Sequence, residues 1–447
     1  MTERVVYRPA EHLGDALTEL GSRLHPLSYA DLPAGTRERL DLAVLDLVGV
    51  ALAGMRTPEL TALVAAADPA PGPHPLLGTD RGVGAVDSAW FPAVAASWLE
   101  LDEGNKHAVG HPAGHVVPAA VAAARAHPAP VTGERLLSAV AGGYELAARL
   151  GRAVRRDPRW HTHGHWGVLG AAWAAAHVRG GDLTACLGAV GAAGSLMRTT
   201  PWQAVLDGDV TRNLWMADAV PAALRAAQLA AAGLAPSPGA AYHGLSLVGE
   251  VDVASVAADP DRWLCGEGYL KRHSACSYTH PAIDLVLAVR GQLPDATSVQ
   301  VRTGSLAAPL LGRVVPNRLA AMFSLPFAVA TAWEHGEVTP AVMEPGSEAF
   351  ARSRRRLDRV AVEVDGALDS WLLDRRVAEV RLGDGTTEIA LAAPNPVGDS
   401  DHFPLGRDDV RDKLGSLVGA ADADVLLAVM SGLAGCDDAV SHLAALP

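Results

Sequence analysis

The sequence predicts a mainly α protein: a large all-helical domain over 1–268, a smaller α+β domain over 269–402, and helices over 403–447 that return to the first domain. Three observations predict it. Apolar residues recur at helical spacing through most of the first 235 residues. Strand-like alternation enters only after about residue 270, and a helical pattern resumes in the last forty residues. A chain of 447 residues is also too long for one core.

Taken in order, RERLDLAVLDLVGVALAG (37–54) predicts a helix that Gly54 caps. PAPGPHPLLG (69–78) predicts a flexible loop. Helical spacing continues over 85–104, over 133–154 behind Thr132 as an N-cap, and over 166–178, 183–196 and 211–234. Pro221 should bend or break the last of these. ATSVQVRTG (296–304) and LDRVAVEVDG (357–366) alternate as strands. RRVAEVRLGDGTTEIAL (375–391) reads as a hairpin around Gly383-Asp384-Gly385. Helices are expected at 281–291 and 318–335 between these strands, and again in LGRDDVRDKLGSLV and ADVLLAVMSGLAG.

Composition limits the function classes. Apolar residues make up 49% and charged residues 19%, as in a well-buried globular chain, and abundant Ala and Gly suit close helix packing. A formal net charge of −13 argues against nonspecific nucleic-acid binding, which needs a basic face. A local basic site for a small anion stays open. Only three of the 37 basic residues are lysines: Lys106, Lys271 and Lys413. The four cysteines form no CxxC, so reduced thiols in a cytoplasm are expected. MTERVVYRPAEHLGDAL has no apolar signal core, and no membrane-length apolar run is present. GVGAVD (82–87) lacks the preceding strand that a nucleotide loop requires.

Chemistry concentrates in three stretches. EGNKHAVGHPAGH (103–115) carries His107, His111 and His115 at intervals of four. On a continuous helix these and Glu103 would form a metal cage, but Gly104, Gly110, Pro112 and Gly114 oppose a helix, so a loop closing helix 85–101 and leading into helix 116–126 is expected. HTHGHW (161–166) places His161, His163 and His165 before a helix. YLKRHSACSYTHPAIDLVLAV (269–289) places Lys271, His273 and His280 before another. Three polar clusters at helix N-termini, where free N–H groups favour anions, can form a carboxylate site. Histidine titrates near neutrality, as acid/base catalysis requires; capping loops with partly exposed histidines are the alternative.

These segments, with GDVTRNLWMADAVPAALRAAQLAAAG and NRLAAMFSLPFAVATAWEHGEVTP, occur in an order that resembles the MmgE/PrpD family from about 101 to 340. The family includes 2-methylcitrate dehydratase, cis-aconitate decarboxylase and iminodisuccinate epimerase. The resemblance implies a helical domain, an α+β lid domain, a cleft between them and a homodimer. It implies proton abstraction next to a carboxylate with no cofactor and no metal, leading to dehydration, decarboxylation or epimerisation of a small-molecule carboxylate. His111, His161 and Lys271 are the candidate catalytic residues. Asp102, Asn105, Lys106, His107, Arg212, His273, His280 and Phe327 are the candidate substrate-binding residues. The chain departs from the family pattern at Gly104-Asn105, where an Asp-Asp pair is common, at Arg212 (often Lys) and at Phe327 (often Tyr), which favours a specialised-pathway substrate.

As a mechanism, His111 or His161 would be the base and the other the acid, while Lys271 and Arg212 bind carboxylates. Lys271 could act as a base only if its pKa were lowered. Lys271→Met is expected to abolish turnover with the fold intact. The rival readings are a non-catalytic binding or scaffold protein on a lyase fold and a metal-dependent hydrolase.

Overall fold

A computed structural model describes residues 8–369 and 375–447. The first seven residues, part of the segment read as lacking a signal core, lie outside the described residues.

The core of the helical unit is the helix Trp166–Val178, buried at every position except His177. Apolar residues surround it on all sides, so it packs against four neighbours at once: Pro112–Arg125, Gly133–Ala153, Leu183–Ala193 and Ala219–Ala231. Small side chains permit this. A Cβ on Gly170 would lie 2.2 Å from the Gly143 carbonyl oxygen of the helix Gly133–Ala153. Thr132 caps that helix by accepting from the Arg135 N–H.

The second unit is built on a four-stranded sheet in the order Glu388–Ala393, Ala378–Gly383, Ser298–Thr303, Val360–Val364. The last pair is parallel and the others are antiparallel, with Ala378–Gly383 and Glu388–Ala393 forming the hairpin. Helices His280–Val289 and Leu325–His335 cover it around a separate core that includes Val299, Val301, Val380 and Leu382. Helices Arg407–Val418 and Ala420–Gly432 then pack on Ala34–Met55 in the first unit. The molecule is therefore mainly helical with a smaller α+β part. Among the described residues no helix is long and apolar enough to cross a membrane. All four cysteines are free.

Several elements differ from the sequence reading. Gly54 lies inside the helix Ala34–Met55, whose C-cap is Arg56. Residues 69–78 are not a free loop: Pro71–Pro75 pairs with Gly82–Val83. The segment 85–104 is helical only over Asp87–Trp98, which frees 99–104 to carry buried charge. The segment 183–196 is α-helical only over Leu183–Ala193. The segment 211–234 breaks at Asp218, because Pro221 tolerates the first turn of a new helix better than the interior of an old one. Residues 318–335 split at Phe323 and Ser324, where Ser324 caps the second helix by accepting from the Phe327 N–H. The helix expected from 116 starts at Pro112: proline suits a first turn, and Gly114 makes room for Met216. His111 is thus an N-cap, and His115 lies one turn into the helix.

Candidate active site

A cavity of about 600 Å³, open to solvent, lies between the two units. The three polar stretches converge on it: Val109, Gly110 and His111 from the first, His161 and Thr162 from the second, and Cys276, Ser277 and Tyr278 from the third. Each stretch precedes a helix, at Pro112, Trp166 and His280. Pro112–Arg125 and Trp166–Val178 pack on each other, whereas His280–Val289 brings its stretch to the cavity from the second unit.

Glu100, which lines the cavity, joins it to a buried charge cluster. Lys271 Nζ is 2.6 Å from Glu100 and 3.1 Å from Asp102. Arg212 Nη2 is 2.6 Å from the other Glu100 oxygen, and its guanidinium lies 5.2 Å from the Phe323 ring centre. Glu100, Asp102, Lys271 and Arg212 are at most 1% exposed. Burial alone would lower the Lys271 pKa, but the Asp102 and Glu100 carboxylates outweigh it and hold the ammonium above its usual range. Burial would raise Asp102, but His111, Lys271 and Arg212 hold it well below the usual carboxylate range. Lys271 is therefore no base. The backbone is strained here: Glu100 and the β-branched Val109 have φ of 53° and 48°.

Hydrogen bonding assigns the histidine tautomers. His111 Nδ1 faces two acceptors, the Glu103 carbonyl at 2.5 Å and Asp102 Oδ2 at 3.0 Å, so Nδ1 carries the proton and Nε2 keeps its lone pair. His161 is the converse. Its Nδ1 accepts from the His163 N–H at 3.2 Å, so a neutral ring carries its proton on Nε2. Burial, then Arg212 and His111, push its pKa well below the ordinary value and keep it neutral. Its ring stacks on Trp202 at 4.7 Å. His163 sits between His111 and His161, with centroids at 4.9 and 4.4 Å.

His115 and His165 serve the scaffold. His115 Nδ1 donates to the His111 carbonyl at 2.7 Å and its Nε2 accepts from the Gly164 N–H at 3.0 Å. His165 Nε2 meets the Thr200 hydroxyl at 2.7 Å. Burial drops their pKa values to about 4 and about 3. Between pH 6.5 and 5 the unfolded chain therefore binds protons that the native one does not, and stability falls with pH. Each ring should cost about 2 kcal/mol over that range, checked by denaturant unfolding at pH 5, 6 and 7 against His115→Asn.

The structure places the expected site residues in three groups. His111, His161, Asn105 and Lys106 line the cavity. Asp102, Lys271 and Arg212 lie in the buried charge cluster; Lys271 and Arg212 are engaged by carboxylates rather than free to bind those of a substrate. His107, His273, His280 and Phe327 do not line it. His107 Nε2 pairs with Glu267 at 2.6 Å, His273 with Asp284 at 2.8 Å, and His280 with the Ala275 carbonyl at 3.0 Å. Phe327 packs on Phe350 in the core of the second unit, because its position in the helix Leu325–His335 faces that core; Phe323, one turn earlier, faces the cavity. Asn105 shapes the loop: its Oδ1 accepts from the His107 and Ala108 N–H groups. Gly104 is required because a Cβ would lie 2.3 Å from the Tyr269 ring. Tyr269 and Tyr278 bring two phenols to the cavity, and burial raises both pKa values, so they stay protonated.

Glu100, Arg156 and Arg376 were not among the residues singled out in the sequence. The motif LELDEG contains Glu100, a second carboxylate beside Asp102 that could have been noticed. Arg376 carries no sequence signal. It is 5% exposed, pairs with Asp399 at 2.7 Å and lies 4.0 Å over the Tyr269 ring. Its Nε and Nη1 have no hydrogen-bond partner among the described residues. Lys106 Nζ also reaches Asp399, at 3.0 Å, and contacts Asp401, linking the two units.

Asp102, His111 and His163 offer ligand atoms within 4.8 Å of one another. They fit a divalent ion poorly. Lys271 stands 3.1 Å from Asp102, and Arg212 stands 3.5 Å from His163 Nε2, so a cation would face two fixed positive charges.

The arrangement gathers histidine, tyrosine and arginine side chains around one cavity between a helical unit and an α+β unit. Two family models match the chain, the MmgE/PrpD N-terminal domain over 18–251 and the MmgE/PrpD C-terminal domain over 273–425. The chain belongs to the MmgE/PrpD family, and its function is of the dehydratase-like lyase or isomerase kind. No curated protein matches it significantly.

Proposed function

We propose that the protein removes a proton next to a carboxylate of a small di- or polycarboxylic acid, without a metal or other cofactor, and that His111 is the base. The observation that carries this is the His111 geometry: Nδ1 bonds the Glu103 carbonyl at 2.5 Å with Asp102 Oδ2 3.0 Å away, which leaves Nε2 of this cavity-lining residue as the acceptor. The C–H proton passes to Nε2, and Asp102 faces the positive charge that develops on the ring. The C–H electron pair moves into an enolate. His161, neutral and protonated on Nε2, donates a hydrogen bond to the oxygen on which charge collects. This replaces its expected role as proton-transferring acid. Arg376, whose Nε and Nη1 have no hydrogen-bond partner among the described residues, and Arg156 line the same cavity and supply the cationic surface for carboxylates. From the enolate, a β-hydroxyl leaves as water with the proton held on His111 Nε2 in dehydration; in epimerisation a cavity phenol, Tyr269 or Tyr278, delivers a proton to the other face and both groups then re-equilibrate with solvent; in decarboxylation the C–C pair left by departing CO2 is held on the same charge surface and takes a proton from solvent. The specialised acid substrate fits the departures at Gly104-Asn105 and Arg212.

Proton NMR in D2O with cis-aconitate, citrate, 2-methylcitrate and amino- or imino-dicarboxylates tests the reading. Deuterium uptake or product formation should occur with one of them and vanish in His111→Asn. Uptake that survives in the variant would sink the assignment. Arg376→Met should raise KM by at least about tenfold, the value of one charge-assisted contact. The metal-dependent alternative draws on the Asp102, His111 and His163 cluster. Activity lost to chelation and restored by one divalent ion would favour it. We also propose a homodimer in the cytoplasm, as the resemblance implies; sedimentation of the purified chain tests the assembly.

A further inference from the structure

A second cavity, about 920 Å³ and open to solvent, lies within the helical unit. It shares no lining residue with the cavity at His111. Its walls come from Ala34–Met55, Asp87–Trp98, Pro112–Arg125, Gly133–Ala153 and Ala420–Gly432. They are mostly aliphatic, including Leu47, Ala51, Val117, Val121, Leu136 and Met430.

Among the side chains that line this apolar space one is charged, that of Arg125. Its placement has a local cause. Pro92 lies inside the helix Asp87–Trp98 and has no N–H, so the Ser88 carbonyl four residues earlier loses its helical donor. Arg125 Nη1 replaces it at 3.0 Å. The rest of the guanidinium has no such use. Nε is buried with no hydrogen-bond partner, and among the described residues no carboxylate forms an ion pair with Arg125. Burial lowers its pKa to about 10, so it remains charged at neutral pH. Arg125 is half-buried, its buried Nε lacks a partner, and a guanidinium matches a carboxylate in shape and charge. Satisfying Ser88 alone would need only a neutral donor.

We infer that this cavity binds a single-chain aliphatic carboxylate, with its carboxylate on Arg125 and its chain along the aliphatic walls. A neutral lipid would leave the cation unpaired, and a dicarboxylate would place a second charge against Leu and Val.

Displacement of 11-(dansylamino)undecanoate from the delipidated full-length chain tests this. Dodecanoate should displace the probe at a concentration at least about tenfold below that needed with dodecanol, and dodecyltrimethylammonium should be weaker than either. Arg125→Met should erase the gap between acid and alcohol while leaving the alcohol unchanged. Arg125→Lys, which keeps the charge, should retain part of it. Val121→Trp, which fills the cavity, should weaken both. Deuterium exchange at the His111 site should persist in Arg125→Met. Absence of probe binding, equal displacement by acid and alcohol, or binding unaltered in Arg125→Met and Val121→Trp would overturn the proposal. So would sedimentation showing a dimer that loses the probe on association, since a second copy would then be the occupant.

Discussion

His111→Asn will lower turnover by about 10²- to 10⁴-fold while leaving the folded structure in place, the range associated with loss of a positioned general base. His111 makes its contacts through Nδ1, to Asp102 and the Glu103 carbonyl, and asparagine can keep a donor near those acceptors. What it cannot supply is the basic Nε2. The loss should therefore fall on kcat rather than on KM, because carboxylate binding rests on Arg376 and Arg156. Asp102→Asn should be milder in geometry, since the Glu103 carbonyl still holds the ring. It removes the negative charge that faces the developing imidazolium. Steady-state kinetics on the substrate found by deuterium exchange, with circular dichroism as the check on folding, will decide. A His111→Asn enzyme with unchanged kcat would remove His111 from the chemistry.

Lys271→Met will destabilise the protein by about 3–5 kcal/mol, the cost of removing one partner from a buried ion pair. This revises the expectation of an intact fold. Lys271 is fully buried and lies between Glu100 and Asp102, and without it two buried carboxylates share Arg212 and His111. The pH window follows from the shifts. Lys271 has a raised folded pKa, so its contribution is fully present below its unfolded value of about 10.4 and is lost as pH rises through the folded value. Asp102 has a depressed folded pKa, so its contribution is present above about 3.9 and is lost as pH falls through the folded value. At neutral pH both are in place, and the deficit should be flat from pH 6 to 8. Adding Asp102→Asn to Lys271→Met should recover about 1–3 kcal/mol by removing one stranded charge and leaving the Glu100–Arg212 pair. Denaturant unfolding of the three variants measures this. Equal stability of Lys271→Met and the parent would refute the buried-cluster account.

The site was legible where chemistry and chain order coincide. His111 and His161 stand in short polar stretches before helices, and a helix N-terminus gives such a stretch a fixed direction. It was not legible where a side chain's direction depends on packing. Phe323 and Phe327 are four residues apart in one segment, and nothing local says which faces the cavity; the break at Phe323 and Ser324 decides it. Lys271 was singled out because lysine is rare here, but its pairing with buried carboxylates could not be read locally. The residues that fix its charge state, Glu100 and Asp102, lie about 170 positions away, at separations of 171 and 169.

By itself, the sequence determined the mainly helical plan, the change to strands after about residue 270, and the polar stretches before three helices, because hydrophobic period and helix-start chemistry are local properties. Only the tertiary structure decided that these stretches meet in one cavity, that Arg376 joins them, that Lys271 is neutralised in a buried charge cluster, and that Arg125 stands alone among aliphatic walls. The physical reason is range. A hydrophobic pattern is read over a few residues, whereas charge and hydrogen-bond balance in a buried site depends on which distant groups the packed helices bring within about 3 Å.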